Sequence, residues 1–146
     1  MFRSSAQPPS ALAQVELFRG LEPKELAHLE GLTRPRHYEP GEEVVREGES
    51  GVALFIVLRG RLRVTQRTAE GATRELRTID AGGVFGEMAI LSDRPRSATI
   101  TAIEPTDCLA LHRLDFVDAM RAHPEIAIRL LDTLSRRLSE AERRSP

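Results

Sequence analysis

The sequence predicts a mainly β fold with flanking helices: a double-stranded β-helix (jelly-roll) barrel with N-terminal helices before it and a long C-terminal helix after it. Three observations carry that prediction. Apolar residues recur at helical spacing only towards the two ends of the chain. Between the ends, short β-prone runs follow one another and are punctuated by glycine, as in compact barrels and double-sheet jelly rolls. The 146 residues, 40% hydrophobic and 29% charged, suit one globular domain and are too apolar for a disordered chain.

Residues 1–9 are rich in Ser, Pro and Gln and lack an apolar core, which predicts a flexible tail rather than a signal peptide. Residues 10–35 form the N-terminal helices: Leu12, Val15 and Phe18 are one helical stripe and Leu26, Leu29 and Leu32 a second. Pro23 suits a first helical turn, and Gly20 and Gly31 close the two pieces. The barrel spans residues 36–112. Its predicted strands are Val44-Val45, Val52 to Leu58, Arg61 to Gln66, Arg74 to Ile79, Ala98 to Ile103 and Thr106 to Leu111. Arg61 to Thr65 alternates polar and apolar like a half-buried strand, and Glu70-Gly71 reads as a hairpin loop.

Residues 113–146 return to the helical period. Leu114, Val117 and Met120 share a face, His123-Pro124 interrupts the run, and a last helix follows from about Pro124 to Arg144. On it Ala127, Leu131, Leu134, Leu138 and Ala141 make an a/d seam, while Ile126, Leu130, Thr133 and Arg137 face another way. One stripe can pack on the barrel while the other meets a second copy, which gives a homodimer through this helix; the alternative is that both stripes serve the chain's own core.

Charge and composition exclude several functions. Lys plus Arg is 21 against 22 for Asp plus Glu, a net charge of −1 that argues against a dedicated nucleic-acid binder. The single cysteine, Cys108, forms no internal disulfide and reads as a buried, inert thiol. The four histidines, His28, His37, His112 and His123, lack metal-ligand spacing, so no metal is expected. Arg3, Arg34 and Arg36 read as solvated surface, and Asp107, Asp115 and Asp118 as residues of turns and first helical turns. No segment approaches the roughly 18 apolar residues of a membrane span, and a cytoplasmic location follows by default.

The stretch that carries chemistry is residues 82–99, Gly82-Gly83-Val84-Phe85-Gly86-Glu87-Met88-Ala89-Ile90-Leu91-Ser92-Asp93-Arg94-Pro95-Arg96-Ser97-Ala98-Thr99. Glycines bring the chain to a sharp corner, and Glu87 to Leu91 can form one helical turn whose free N–H groups attract an anion. The loop through Asp93 and Pro95 returns to Arg96, which is suited to clamp a phosphate by paired N–H bonds. A carboxylate beside an anion site needs a donor partner, and a sugar hydroxyl supplies one. Glu87 therefore points to a ligand that holds a phosphate and a ribose close together.

This stretch resembles the phosphate-binding cassette of the cyclic nucleotide-binding domain family. Leu17-Phe18-Arg19-Gly20-Leu21, Tyr38-Glu39-Pro40-Gly41-Glu42, Glu47-Gly48-Glu49, Phe55 to Leu62 and Arg136-Arg137-Leu138 are similar to further family signposts, in the same order. The resemblance implies that Glu87 accepts from the ribose 2′-hydroxyl and that Arg96 pairs with the exocyclic phosphate oxygens. It also implies that N–H groups around Gly86, Met88, Ala89 and Ala98 complete the cradle, with the Ser97 hydroxyl adding a bond. Arg137 resembles a last-helix arginine that links Glu87 or the ligand to that helix. Gly83 stands where the family often has an acidic residue. Ala141 and Glu142 replace the hydroxyl residues that read adenine in one branch of the family, which leaves Arg143 or Arg144 to cap the base.

The function expected is a non-enzymatic sensor of a cyclic nucleotide, cAMP ahead of cGMP, whose C-terminal helix responds to the ligand and passes the signal to a protein effector. Only Ala141 to Pro146 follow the family's last helix, so no DNA-binding domain and no direct DNA contact are expected. The alternatives are a fold-retaining protein-interaction module without nucleotide, the sensor half of a transcription regulator lacking its helix-turn-helix, and a cupin-type metal-dependent barrel.

Overall fold

In the computed structural model of the chain, residues 10–92 and 94–144 are described; the expected tail (residues 1–9), Asp93 and residues 145–146 lie outside the described residues. Helix α1 (Pro23–Glu30) precedes eight strands, β1 (Arg34–Tyr38), β2 (Glu43–Val45), β3 (Ala53–Arg59), β4 (Arg61–Arg67), β5 (Thr73–Asp80), β6 (Val84–Phe85), β7 (Thr99–Ala102) and β8 (Thr106–His112). Helices α2 (Arg113–Ala122) and α3 (Pro124–Arg144) close the chain. The strands form two antiparallel four-stranded sheets, ordered β1-β8-β3-β6 and β2-β7-β4-β5. The predicted jelly-roll with flanking helices is thus the observed architecture.

The layering follows from the run Ala53 to Val57. An antiparallel strand with one solvated face alternates apolar and polar, but all five of these residues are buried. Leu54 and Ile56 pack outward with Leu12, Phe18, Phe116, Ile126 and Leu130 from the helical segments. Ala53, Phe55 and Val57 pack inward with Leu62, Val64, Phe85, Ile100 and Cys108 of the barrel interior. The first sheet is therefore sandwiched between barrel and helices. The inward placement raises the Cys108 thiol to about 11 by desolvation, as expected of an inert cysteine. At the other edge, β5 buries only Ile79 and carries Arg74, Glu75 and Arg77, charges that suit a strand with one unpaired side.

Several local expectations change. The first apolar stripe folds as two 3-10 turns, Ala11–Gln14 and Glu16–Phe18, since Val15 between them is extended and breaks the helix. The barrel starts at Arg34 rather than residue 36, because β1 gains its hydrogen bonds from β8, a partner some seventy residues away that local spacing does not reveal. Helix α2 buries Phe116 and Ala119, while Leu114 stays 78% exposed. Asp107 is a strand residue, not a capping one. It accepts from His37 Nδ1 at 2.7 Å and from Arg59 Nη2 at 2.6 Å, which lowers its pKa. The same carboxylate, with Glu39, raises the pKa of His37.

On α3, Ile126, Leu130 and Thr133 are buried and Arg137 is half-buried, so this stripe faces the body of the domain. Leu131 and Leu138 of the a/d seam are 66% and 62% exposed, and Leu134 packs at the edge of the helical cluster. The seam is available to a partner helix. Helix α1 is tied to α3 by Arg129, which reaches Glu22 at 3.3 Å and the buried Glu25 at 3.0 Å.

Candidate functional site

Residues 82–99 wrap one cavity of about 440 Å³. Gly86 makes the corner between β6 and the following turn in the left-handed region, φ 78°, where a side chain is strained. The predicted helical turn exists as a 3-10 turn over Glu87–Ile90. Its first N–H groups, those of Glu87 and Met88, have no acceptor among the described residues, whereas the Ala89 N–H is given to Gly86 O at 2.9 Å. The expected cradle thus keeps two open donors at its start, and Ala89 supports the turn instead. Ile90, at the end of the turn, is buried in the helical cluster with Ile126 and Leu130 of α3, so cassette and last helix share one core.

Arg96 is the central cation. Its main chain is pinned at both ends, N–H to Glu49 O and C=O to Gly48 N–H, each at 2.8 Å. Its Nη2 donates to Ala53 O at 2.8 Å, and its Cζ lies 6.0 Å from the ring centre of Phe55, which stacks on Phe85 at 4.9 Å. A Cβ on Gly51 would fall 1.8 Å from Arg96 Nε, and one on Gly86 would fall 2.5 Å from Nη1. Two glycines therefore make the slot that the guanidinium occupies. Burial depresses the Arg96 pKa by desolvation alone, Nε has no partner, and no carboxylate among the described residues pairs with it. A guanidinium stays charged in a protein, so the cavity holds a partly desolvated positive charge with donors to spare.

The structure brings Gly86, Glu87, Met88, Ala89, Arg96, Ser97 and Ala98 to the wall of this one cavity. Ser97 is exposed, and its carbonyl accepts from Gln66 Nε2 at 2.9 Å. Arg137 stands behind the wall: its Nη2 lies 3.8 Å from Glu87 Oε1 and 3.6 Å from Glu16 Oε1, and its Nη1 is buried without a partner. Arg143 and Arg144 are not among the lining residues, so the expectation that they cap a base gains no contact here.

Other lining residues were not legible as site residues. Val45, Val64, Phe85 and Ile100 form an apolar wall. Leu76 and Arg77 of β5 close the mouth. Arg77 pairs in register with Val64, whose side chain is 2% exposed and points inward, so Arg77 shares the inward side. It has no ion-pair partner among the described residues. An arginine at an inward strand position where alternation calls for an apolar residue is the signal that finds it.

The profile of the family described as "Cyclic nucleotide-binding domain" matches residues 35–123. The cyclic AMP receptor protein of Thermus thermophilus is 36% identical over 86% of this chain and 58% of its own length. The cGMP-dependent protein kinase of Eimeria tenella is 36% identical over 80% of this chain and 11% of its own. The crystal structure of the N-terminal domain of a transcriptional regulator from Streptomyces coelicolor A3(2) superposes with a TM-score of 0.84 at 26% identity, covering 90% of this chain and 92% of that one. The chain thus spans less than two thirds of the length of the receptor protein it matches. A cassette of this geometry, on this barrel and within the matched segment, makes the chain a member of the cyclic nucleotide-binding domain family.

Proposed function

We propose that the chain is a non-catalytic sensor that binds a cyclic nucleotide in the cassette cavity. The observation that carries this reading is Arg96, a half-buried cation held between two glycines with no carboxylate partner among the described residues. An uncompensated charge of this kind is costly unless an anion completes it. The cyclic phosphate meets Arg96 and the N–H groups of Glu87 and Met88, Ser97 adds its hydroxyl at the exposed side, and Gly86, Ala89 and Ala98 keep the walls close. Glu87 accepts from the ribose 2′-hydroxyl. Non-cyclic 5′-AMP carries extra charge and an open phosphate and binds worse. No nucleophile–base pair is called for, and the chain acts in the cytoplasm by changing shape.

The response runs through Arg137. A ligand hydroxyl donating to Glu87 alters the balance by which Arg137 is shared between Glu87 and Glu16, and Ile90 carries the cassette's movement to α3 through their common core. The α3 seam, with Leu131 and Leu138 exposed, takes a second copy of the chain. A protein effector receives the signal.

Glu87→Ala is expected to weaken binding and to erase most of the preference for a ribose over a 2′-deoxyribose cyclic nucleotide. The check is calorimetric titration of both nucleotides against both proteins. An unchanged ribose preference would mean that Glu87 does not read the sugar.

The resemblance favours cAMP; Arg77 favours a second reading, cGMP. Guanine offers two acceptors, O6 and N7, on one edge, and arginine pairs with both, whereas adenine places a donor beside N7. Titration with cAMP, cGMP and 5′-AMP ranks the ligands. If guanine is the base, Arg77→Ala is expected to lower cGMP affinity about tenfold and leave cAMP nearly unchanged. If adenine is the base, the substitution leaves the ranking as it was.

A further inference from the structure

A second concave surface lies on the chain, about 730 Å³, lined by Arg34, Arg36, Val52, His112, Arg113, Leu114, Asp115 and Val117. Among the described residues it shares no lining residue with the cassette cavity. It is also where the α2 stripe predicted from periodicity ends up: Phe116 and Ala119 turn into the core, while Leu114 is 78% exposed and Val117 half-buried. Val52, 50% exposed and immediately before β3, joins them, with its carbonyl held by the Arg113 N–H at 2.7 Å. The three apolar side chains come from α2 and the residue leading into β3, which that bond locks together.

Charge selects what fits. Arg34 and Arg36 lie on one side of β1, opposite Ala110 and Cys108, and both are exposed without an ion pair among the described residues. Asp115 is the only acidic lining residue among the described residues, so Arg34 and Arg36 outnumber it; Arg113, across the groove, is itself engaged. In a chain whose net charge is −1, this is a local positive excess around an apolar floor. Among the described residues β1 pairs only with β8 and leaves its outer edge open, but Pro35 removes a donor from that strand. Side chains, rather than an added strand, therefore dominate recognition.

We propose that this groove docks a segment of a partner protein that presents one or two apolar side chains flanked by Asp or Glu. The apolar residues would enter between Val52, Leu114 and Val117, and the carboxylates would meet Arg34 and Arg36. A nucleic-acid backbone has no use for the apolar floor, and Asp115 opposes it. The groove gives the sensor an output surface separate from the α3 seam. Because the two cavities share no residue, failure of nucleotide binding leaves this assignment standing, and the reverse also holds.

The test is selection of a random peptide library displayed on phage against the immobilised full chain, followed by fluorescence-anisotropy titration of the enriched peptides. Leu114→Glu and Arg34→Glu change exposed side chains, and circular dichroism with nucleotide titration verifies that each variant is folded. The expected result is enrichment of acidic-apolar peptides whose affinity falls at least tenfold with either variant and with rising salt. Arg36→Glu is the third variant should one of the others misfold. Four results would overturn the proposal: no enrichment; enriched peptides without acidic residues; equal binding to the variants; or variant-sensitive binding of the chain to phosphatidylglycerol vesicles, to duplex DNA or to itself in sedimentation in place of peptide.

Discussion

Replacing Arg96 by lysine is expected to weaken cyclic-nucleotide binding about ten- to a hundredfold, although the charge is kept. A charge-assisted hydrogen bond contributes roughly 1.5–3 kcal/mol, and a planar fork can place two donors on a phosphate where an ammonium acts as a point charge. The slot between Gly51 and Gly86 fits a flat group edge-on. A lysine there also loses the donation to Ala53 O and the contact above Phe55. Titration calorimetry with cAMP and cGMP reads the change, and Arg96→Ala is expected to remove saturable binding altogether. Equal affinity in the lysine variant would show that the phosphate is not held at this position. The proposed ligand pose would then have to be abandoned.

Gly86→Ala is the second large effect, and it acts on both stability and binding. The position is at φ 78°, and the added Cβ would lie 2.7 Å from Ala53 O, a main-chain atom of the central strand, and 2.5 Å from Arg96 Nη1. A left-handed conformation costs a residue with a side chain about 1–2 kcal/mol. The clash adds to that by pushing Arg96 out of its slot or lifting the 3-10 turn off β3. A Tm lowered by about 5 °C or more is expected, together with loss of nucleotide affinity at temperatures where the protein is still folded. Gly71→Ala separates the two causes. Gly71 has a similar φ, 86°, with nothing within 4 Å of the added Cβ, so it carries the strain without the crowding. Its variant should lose some stability and keep its affinity. If Gly86→Ala behaves like Gly71→Ala in both assays, crowding at Arg96 plays no part.

The outcome of these substitutions depends on features that differ in how far local sequence announces them. The cassette was legible because its parts are close in the chain: the corner at Gly86, the turn behind Glu87 and the return to Arg96 lie within eleven residues. The first four strand runs were legible for the same reason, since Gly48, Gly60, Gly71 and Gly82 each follow one of them within a few residues, and in Arg61 to Thr65 alternation sets the solvated face. Arg137, fifty residues after Glu87, was reached only through resemblance, and in the fold its Nη2 stands 3.8 Å from Glu87 Oε1.

Residues whose roles arise from pairing across the chain were not legible. Nothing local sets Gly51 apart from the other glycines; its role arises only where the segment before β3 meets the 82–99 segment and Arg96 comes to lie against it. In the sequence Arg77 is one of several charged residues in the run Arg74 to Ile79. The β4–β5 register, which shifts between Val64 and Thr65, sets it opposite Val64 and turns it to the cavity. The buried face of α2 lies one step from the one that periodicity predicts, because Leu114 and Phe116 compete for burial and only the position of β3 and α3 decides for Phe116. By itself, then, the sequence determined the class of fold, the order of its elements and the extent of the turn-containing segment proposed to hold the anion, all of which depend on short-range spacing and backbone preference. Tertiary structure alone decided what surrounds the guanidinium, which strand closes the cavity mouth and which apolar stripe stays outside, because each depends on strand register and on which of several possible faces the shared core buries.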